Sequence, residues 1–161
     1  MVQRPGYPLC LPISQNLGVE LRHYDLMSDK NWEIDLDSLR AQVNERTRAI
    51  LVNNPSNPCG SCFTRKHCLD IIAVANELKL PIIADEVYYG ITFEPETEFI
   101  SFGVLTDEVP VVCLSSVSKM YYLPGYRLGW MIFYNKNGYF DNCIDNLINH
   151  AAVNFHPNSI V

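Results

Sequence analysis

The sequence has 161 residues, of which 48% are apolar and 19% are charged, and its formal net charge at pH 7 is −6. This length suits one globular domain with its own core. The negative charge argues against a nucleic-acid partner, and no apolar run approaches the roughly 20 residues of a membrane helix. Composition and charge therefore argue against a nucleic acid or a membrane as partner.

The first half of the chain alternates predicted strands and helices. Residues 18–24 alternate apolar and polar side chains as a strand does, and residues 35–43 follow as a short helix with Asp35 as its N-cap. A largely apolar strand over residues 48–53 ends in the Pro/Asn/Gly turn of residues 54–60.

The same alternation continues to the end of the chain. Residues 64–78 carry apolar side chains at helical spacing and predict the clearest helix. Strands are predicted over residues 81–86, 109–114 and 126–134, and a last helix over residues 139–150. Short apolar strands separated by helices predict an α/β fold with a mostly parallel sheet and helices on both faces. Functional groups of such sheets lie beyond the carboxyl ends of the strands.

Polar side chains with compatible chemistry follow three of these strands. Asn57 follows the predicted strand of residues 48–53, and Asp85 and Tyr88 lie at the end of the strand of residues 81–86. Ser116, Ser118, Lys119 and Arg127 follow the strand of residues 109–114. Each has an ordinary structural explanation when taken singly, such as a solvated strand end or a surface lysine. Together they predict a cationic, hydroxyl-rich pocket with one carboxylate, which suits a phosphate ester on a heterocycle that needs a counter-ion.

Three motifs in this region resemble those of one enzyme family. The motifs are Asn57-Pro58-x-Gly60, Ala84-Asp85-Glu86-x-Tyr88 and Ser116-x-Ser118-Lys119, with Arg127 eight residues after the lysine. They resemble the signature of class I aminotransferases, enzymes of fold type I that use pyridoxal 5′-phosphate (PLP). Residues 52–61 and 124–130 are most similar to the tyrosine aminotransferase branch.

The resemblance implies an enzyme that transfers the amino group of an aromatic amino acid, L-tyrosine first, to a 2-oxo acid such as 2-oxoglutarate. It also implies three catalytic residues. Lys119 would bond the cofactor and move the proton, Asp85 would face the pyridine nitrogen, and Tyr88 would hydrogen-bond the phenolic oxygen. PLP would carry the organic chemistry, and the protein would position it.

The resemblance implies further cofactor-binding residues beside Lys119, Asp85 and Tyr88. Tyr7 would stack on the ring and Asn57 would hydrogen-bond its phenolic oxygen. Ser116, Ser118 and Arg127 would bind the phosphate, with the arginine able to hold two oxygens at once. No metal is expected.

The resemblance also sets expectations for the whole protein. Residues 1–161 correspond to the central part of the PLP-binding large domain, so an N-terminal segment and a C-terminal small domain are expected to be missing. A chain of this kind is expected to transaminate poorly alone, because substrate orientation supplies much of the rate. The full-length form is expected to be a homodimer. The expected location is the cytoplasm, with the mitochondrion as the alternative.

Three alternatives stay open. A PLP-dependent lyase or synthase of the same fold would use much of the same residue set. A truncated, non-catalytic product would keep the fold without turnover. A redox or zinc module could be built on Cys59, Cys62 and Cys68, although a zinc site needs a second ligand pair, which the sequence does not provide.

Overall fold

The computed structural model describes residues 1–154, with side chains as far as residue 152, and it contains strands and helices in alternation. The strands are β1 (Val2–Arg4), β2 (His23–Met27), β3 (Glu33–Ile34), β4 (Ile50–Asn53), β5 (Ile82–Asp85), β6 (Val111–Ser116) and β7 (Gly129–Tyr134). The α-helices are α1 (Cys10–Asn16), α2 (Leu36–Ala41), α3 (Arg65–Glu77), α4 (Val117–Met120) and α5 (Asp141–Asn154). None of these helices is long and apolar enough to cross a membrane.

The main sheet has the order β4-β5-β6-β7. β4, β5 and β6 are parallel, whereas β7 runs antiparallel to β6. A second sheet has the order β1-β2-β3, with β1 and β2 parallel. The backbone N–H of Leu51 donates to the carbonyl of Met1 at 2.9 Å, which joins β1 to β4. The predicted α/β fold with a mostly parallel sheet is confirmed, and the antiparallel β7 is an addition that its apolar sequence did not reveal.

The core lies on one face of this sheet. Side chains alternate along each strand, so Ile82 and Ala84 of β5 are buried in the core while Ile83 and Asp85 point to the opposite face. Helices α2 and α3 cover the core face with buried residues that include Leu39 and Ile71.

Aromatic residues cover part of the opposite face. Phe133 of β7 lies directly across from Val112 of β6, so its side chain shares the face that the core does not use. Phe140, which precedes α5, meets Phe133 edge-on with ring centroids 5.7 Å apart. The residue that precedes α5 therefore covers part of this face of the sheet.

Helix α3 forms close to its predicted limits because its sequence supplies both a cap and an apolar face. The Thr64 hydroxyl accepts a hydrogen bond from the His67 backbone N–H at 3.2 Å, which satisfies one free donor of the first turn. Cys68, Ile71 and Ala75 are buried against the sheet.

The strand predicted over residues 18–24 is wrong in its position. The structure has β2 at His23–Met27, because β1 pairs with this segment from Val2 opposite His23 to Arg4 opposite Asp25. The chain instead turns at Gly18, just after α1, where φ is +64° and the Val19 N–H donates to the Ser14 carbonyl, and residues 19–22 form an irregular link to β2. Helix α1 itself was not predicted, because its apolar side chains Leu11 and Ile13 are exposed.

A buried histidine links α3 to β3. The Nε2 atom of His67 accepts a hydrogen bond from the Ile34 backbone N–H at 2.8 Å, and its Nδ1 lies 3.6 Å from the Glu33 carboxylate. Burial lowers the pKa of His67, and the charge of Glu33 partly offsets this effect. The contact with Ile34 requires a neutral ring, because a protonated imidazole has no acceptor.

This contact predicts a loss of stability in mild acid. As pH falls below about 6.5, the usual histidine pKa, the unfolded chain takes up a proton that the folded His67 resists, so the free energy of unfolding decreases. His67→Gln keeps an acceptor without a titrating group and is expected to flatten this dependence. His67→Ala is expected to cost about 1–3 kcal/mol, because the Ile34 N–H loses its partner. Urea unfolding at several pH values measures both effects. Equal pH dependence in the wild type and His67→Gln would contradict the assignment.

Candidate functional site

Two buried side chains hold the turn that follows β4. Gln3 of β1 accepts a hydrogen bond from the Asn53 N–H at 3.0 Å and donates one to the Ser56 hydroxyl at 3.0 Å. Asn53 accepts from the Asn57 N–H at 2.8 Å and donates to the Asp85 carbonyl at 3.0 Å. The turn therefore carries Asn57 at a defined position beside the end of β5. Gln3 was not predicted, and its only signal in the sequence is a polar side chain within a strand.

Asp85 and Tyr88 leave the carboxyl end of β5 on the same side as this turn. Asp85 lies directly across from Asn53, and its carboxylate accepts from the Val87 N–H at 3.3 Å. The side-chain amide of Asn57 donates to the Tyr88 hydroxyl at 3.4 Å. Burial raises the pKa of the Asp85 carboxyl, and the hydrogen bond from Val87 partly offsets that rise.

The neighbouring carboxylate has a structural role. Glu86 is buried and accepts a hydrogen bond from the Phe102 N–H at 2.9 Å. Burial raises its pKa as well. Glu86 thereby anchors the segment that leads into β6, whereas Asp85 is left available to the site.

Lys119 reaches the same place from β6. It lies on α4, a single helical turn whose N-cap is Ser116, since the Ser116 hydroxyl accepts from the Ser118 N–H at 3.3 Å. The Lys119 ammonium lies 5.9 Å from the centroid of the Tyr88 ring, within the range of a cation–π contact. Three successive strand ends therefore meet around this lysine.

These residues enclose a cavity of about 220 Å³, which we call the front cavity. It is lined by Tyr7, Asn53, Asn57, Asp85, Val87, Tyr88 and Lys119. Five of the eight predicted site residues thus line the same cavity. A wider opening of about 330 Å³ adjoins it through Asn57, Tyr88 and Lys119, and its outer wall carries Ile91, Phe93 and Tyr122.

The other three predicted residues do not line the front cavity. Ser116 and Ser118 lie within three residues of Lys119, and the Ser116 hydroxyl is used as the helix cap. The Arg127 guanidinium is exposed and donates to the Pro124 carbonyl at 2.9 Å. Their role as phosphate ligands stays a prediction.

Asp85 has no ion-pair partner among the described residues of the front cavity. Within the described part of the chain, no Lys, Arg or His side chain forms an ion pair with Asp85. A carboxylate away from water is costly unless a cation or hydrogen-bond donors compensate it. A cationic ring nitrogen bound in the cavity would supply that partner. The residues therefore fit a planar cofactor with a basic ring nitrogen and a group that reacts with an amine.

The cysteines give no support to a redox or metal module. Cys62 and Cys68 are buried free thiols, and burial raises the pKa of Cys62 and that of Cys68, the latter to about 12. Reactive thiols need the opposite shift, because the thiolate is the nucleophile and the metal ligand. Residues 1–154 contain no group of three or more His, Cys, Asp and Glu side chains arranged to hold a metal.

Comparison with known proteins places this geometry in a family. The family model described as aminotransferase class I and II matches residues 1–158. A tyrosine aminotransferase from Dictyostelium discoideum is 42% identical over 163 residues, which cover 100% of this chain and 39% of that protein. A cystine lyase from Arabidopsis thaliana is 39% identical, over 88% of this chain and 33% of its own length.

A solved structure agrees with the sequence relatives. The alanine aminotransferase from Pyrococcus furiosus superposes with a TM-score of 0.91 at 33% identity, covering 98% of this chain and 39% of that one. The chain thus spans 39% of the length of the tyrosine and alanine aminotransferases and 33% of that of the cystine lyase. With nearly its whole length matched by the family model, the chain belongs to the class I and II aminotransferase family.

Proposed function

We propose that this chain forms the cofactor-binding part of a PLP-dependent aminotransferase that takes the amino group of an aromatic amino acid. L-Tyrosine is the first candidate donor, and a 2-oxo acid such as 2-oxoglutarate is the acceptor. The observation that carries the proposal is the front cavity, which Lys119, Tyr88, Asn57 and Asp85 line together.

Each of these side chains has a task that its position supports. PLP, when bound, supplies an electron-withdrawing ring that stabilises negative charge developing at the α-carbon of the amino acid. Asp85 would hold the ring nitrogen through a charge-assisted hydrogen bond, which compensates its buried charge. Lys119 would hold the cofactor covalently and then carry the proton. Tyr88 and Asn57, 3.4 Å apart, would hold the phenolic oxygen.

The remaining groups would hold the edges of the cofactor. Tyr7 lines the front cavity from the loop after β1 and offers an aromatic face for stacking. Ser116, Ser118 and Arg127 would bind the phosphate at the start of α4. For Arg127 this requires release of the hydrogen bond to Pro124, which one charged phosphate contact can offset.

The adjoining opening supports an aromatic substrate. Its outer wall carries Ile91, Phe93 and Tyr122 next to Lys119. Apolar and aromatic side chains favour a substrate whose own side chain is aromatic. The tyrosine aminotransferase among the relatives points to the same class of donor.

We also propose a homodimeric, cytoplasmic protein. Exposed aromatic and apolar residues lie close to the site between residues 121 and 128, among them Tyr122 and Leu128. An apolar surface of this kind is typical of a face that other protein segments cover.

A lyase of the same fold is the second candidate, since the cystine lyase relative matches this chain at 39% identity. The test supplies the PLP-loaded chain with L-tyrosine or with cystine and analyses the products by chromatography. A transferase converts bound PLP to its amine form, with one molecule of the 2-oxo acid per site. A lyase instead releases pyruvate from cystine repeatedly. PLP binding without either product would exclude both activities for this chain and favour a truncated, non-catalytic product.

A further inference from the structure

The buried side-chain amide of Gln3 is held in an orientation that its partners fix. Its Oε1 atom accepts from the Asn53 backbone N–H at 3.0 Å. Because a backbone N–H can only donate, Nε2 must be the atom that donates to the Ser56 hydroxyl, also at 3.0 Å. Only 3% of the Gln3 surface is exposed. Strand β1 therefore supports both the end of β4 and the turn that follows it.

The stem of Gln3 is fixed as well. A Cβ atom placed on Gly6 would lie 2.5 Å from the Gln3 carbonyl oxygen and 3.3 Å from its Cγ, so the loop after β1 passes directly against this residue. Side chains in such close packing cannot shift without displacing their neighbours. The amide of Gln3 therefore has little freedom to move away from Asn53 and Ser56.

Asn53 carries this support to two residues of the front cavity. Its Oδ1 atom accepts from the Asn57 N–H at 2.8 Å, and its Nδ2 donates to the Asp85 carbonyl at 3.0 Å. The Asn54 N–H donates to the same carbonyl at 3.1 Å. Under the proposed function, Asn57 holds the phenolic oxygen of PLP and Asp85 holds its ring nitrogen. One side chain thus links the backbones of the two residues.

We propose that Gln3 is a positioning residue for the cofactor site, because it fixes Asn53 and thereby sets the position of Asn57 relative to Asp85. Two groups that hold one rigid ring bind it more tightly when they are fixed in advance, since less freedom is lost on binding. Gln3 does not line the front cavity, so it acts through its neighbours. The role rests on the proposed function only in so far as PLP is the ligand. The effect of Gln3 on Asn57 exists without the cofactor.

Three variants separate this role from a general loss of stability. Gln3→Met keeps the length of the side chain and removes both hydrogen bonds. Gln3→Glu can keep both in either protonation state, because the Ser56 hydroxyl can donate as well as accept. Tyr24→Phe is the matched control, since it removes a different hydrogen bond to β4, from the Tyr24 hydroxyl to the Leu51 carbonyl at 2.7 Å, and leaves those of Gln3 in place.

Hydrogen exchange in the cofactor-free chain, followed by NMR, is the first test. We expect Gln3→Met to speed exchange of the Asn57 N–H about threefold to tenfold relative to the Ile82 N–H, the effect of one net hydrogen bond. The Ile82 N–H reports global stability, because it donates to the Pro110 carbonyl within the core of the sheet. This ratio should not rise in Gln3→Glu or Tyr24→Phe. An unchanged ratio in Gln3→Met would overturn the proposal.

The affinity for PLP is the second test. Gln3→Met is expected to weaken binding roughly threefold to tenfold, and Gln3→Glu should recover most of the loss. Tyr24→Phe should stay within about twofold of the wild type, because it does not release Asn53. Equal affinities for the wild type and Gln3→Met, or an equal loss in Tyr24→Phe, would count against the role. If the wild type failed to bind PLP while the exchange effect persisted, the proposed function would fail and the support of Asn57 by Gln3 would stand.

Discussion

Replacing Lys119 with alanine is expected to abolish covalent attachment of PLP while the fold stays intact. Lys119 is the one lysine that lines the front cavity within the described residues, and its ammonium lies over the Tyr88 ring. The side chain is exposed on α4, and alanine is the best helix former, so the substitution should cost little stability.

Borohydride reduction followed by peptide mass spectrometry measures this attachment. The wild type should gain one phosphopyridoxyl group on the peptide that contains Lys119, and Lys119→Ala should gain none. Lys136→Ala is the matched control, because Lys136 is a surface lysine paired with Asp107 and should not affect labelling. Labelling of the same extent in Lys119→Ala, at any other lysine, would rule out the assigned role.

Asp85→Asn is expected to slow conversion of bound PLP by L-tyrosine about a hundredfold or more, the scale of removing one electrostatic contact in an active site. The affinity for PLP should fall much less, because Asn keeps the size of Asp and still accepts from the Val87 N–H. A neutral amide, however, cannot balance the charge of a protonated ring nitrogen.

Single-turnover mixing with L-tyrosine measures the rate, and a titration with PLP measures affinity. Glu86→Gln is the control, since it removes a carboxylate from the next residue while keeping an acceptor for the Phe102 N–H. It should leave the rate within about threefold, because Glu86 does not line the front cavity. An unchanged rate in Asp85→Asn, or an equal loss in both variants, would contradict the role of Asp85.

Local signals explain what could be predicted of the fold. The strands β4, β5 and β6 are short apolar runs bounded by turn residues, and α3 combines the Thr64 cap with apolar spacing. Such features depend on neighbours in the sequence, so they can be recognised without tertiary information. Strands β1 and β3 have three and two residues and carry too little pattern to be recognised.

The positions of the site residues could likewise be predicted only in part. A parallel sheet brings the carboxyl ends of its strands to one edge, so Asn57, Asp85 and Lys119 were expected to meet, and they line one cavity. The rule does not say where long side chains point. It therefore could not predict that the Arg127 guanidinium turns to the Pro124 carbonyl.

The sequence by itself determined the α/β class and the principal strands and helices, and it predicted the residues that would carry the chemistry, because each depends on short-range pattern or on a contiguous motif. Only the tertiary structure decided that Gln3 holds Ser56, 53 residues away, and that Asn53 donates to the Asp85 carbonyl, 32 residues away. These contacts join segments that are distant in sequence, and hydrogen bonds between such segments produce no periodic pattern in the amino-acid sequence.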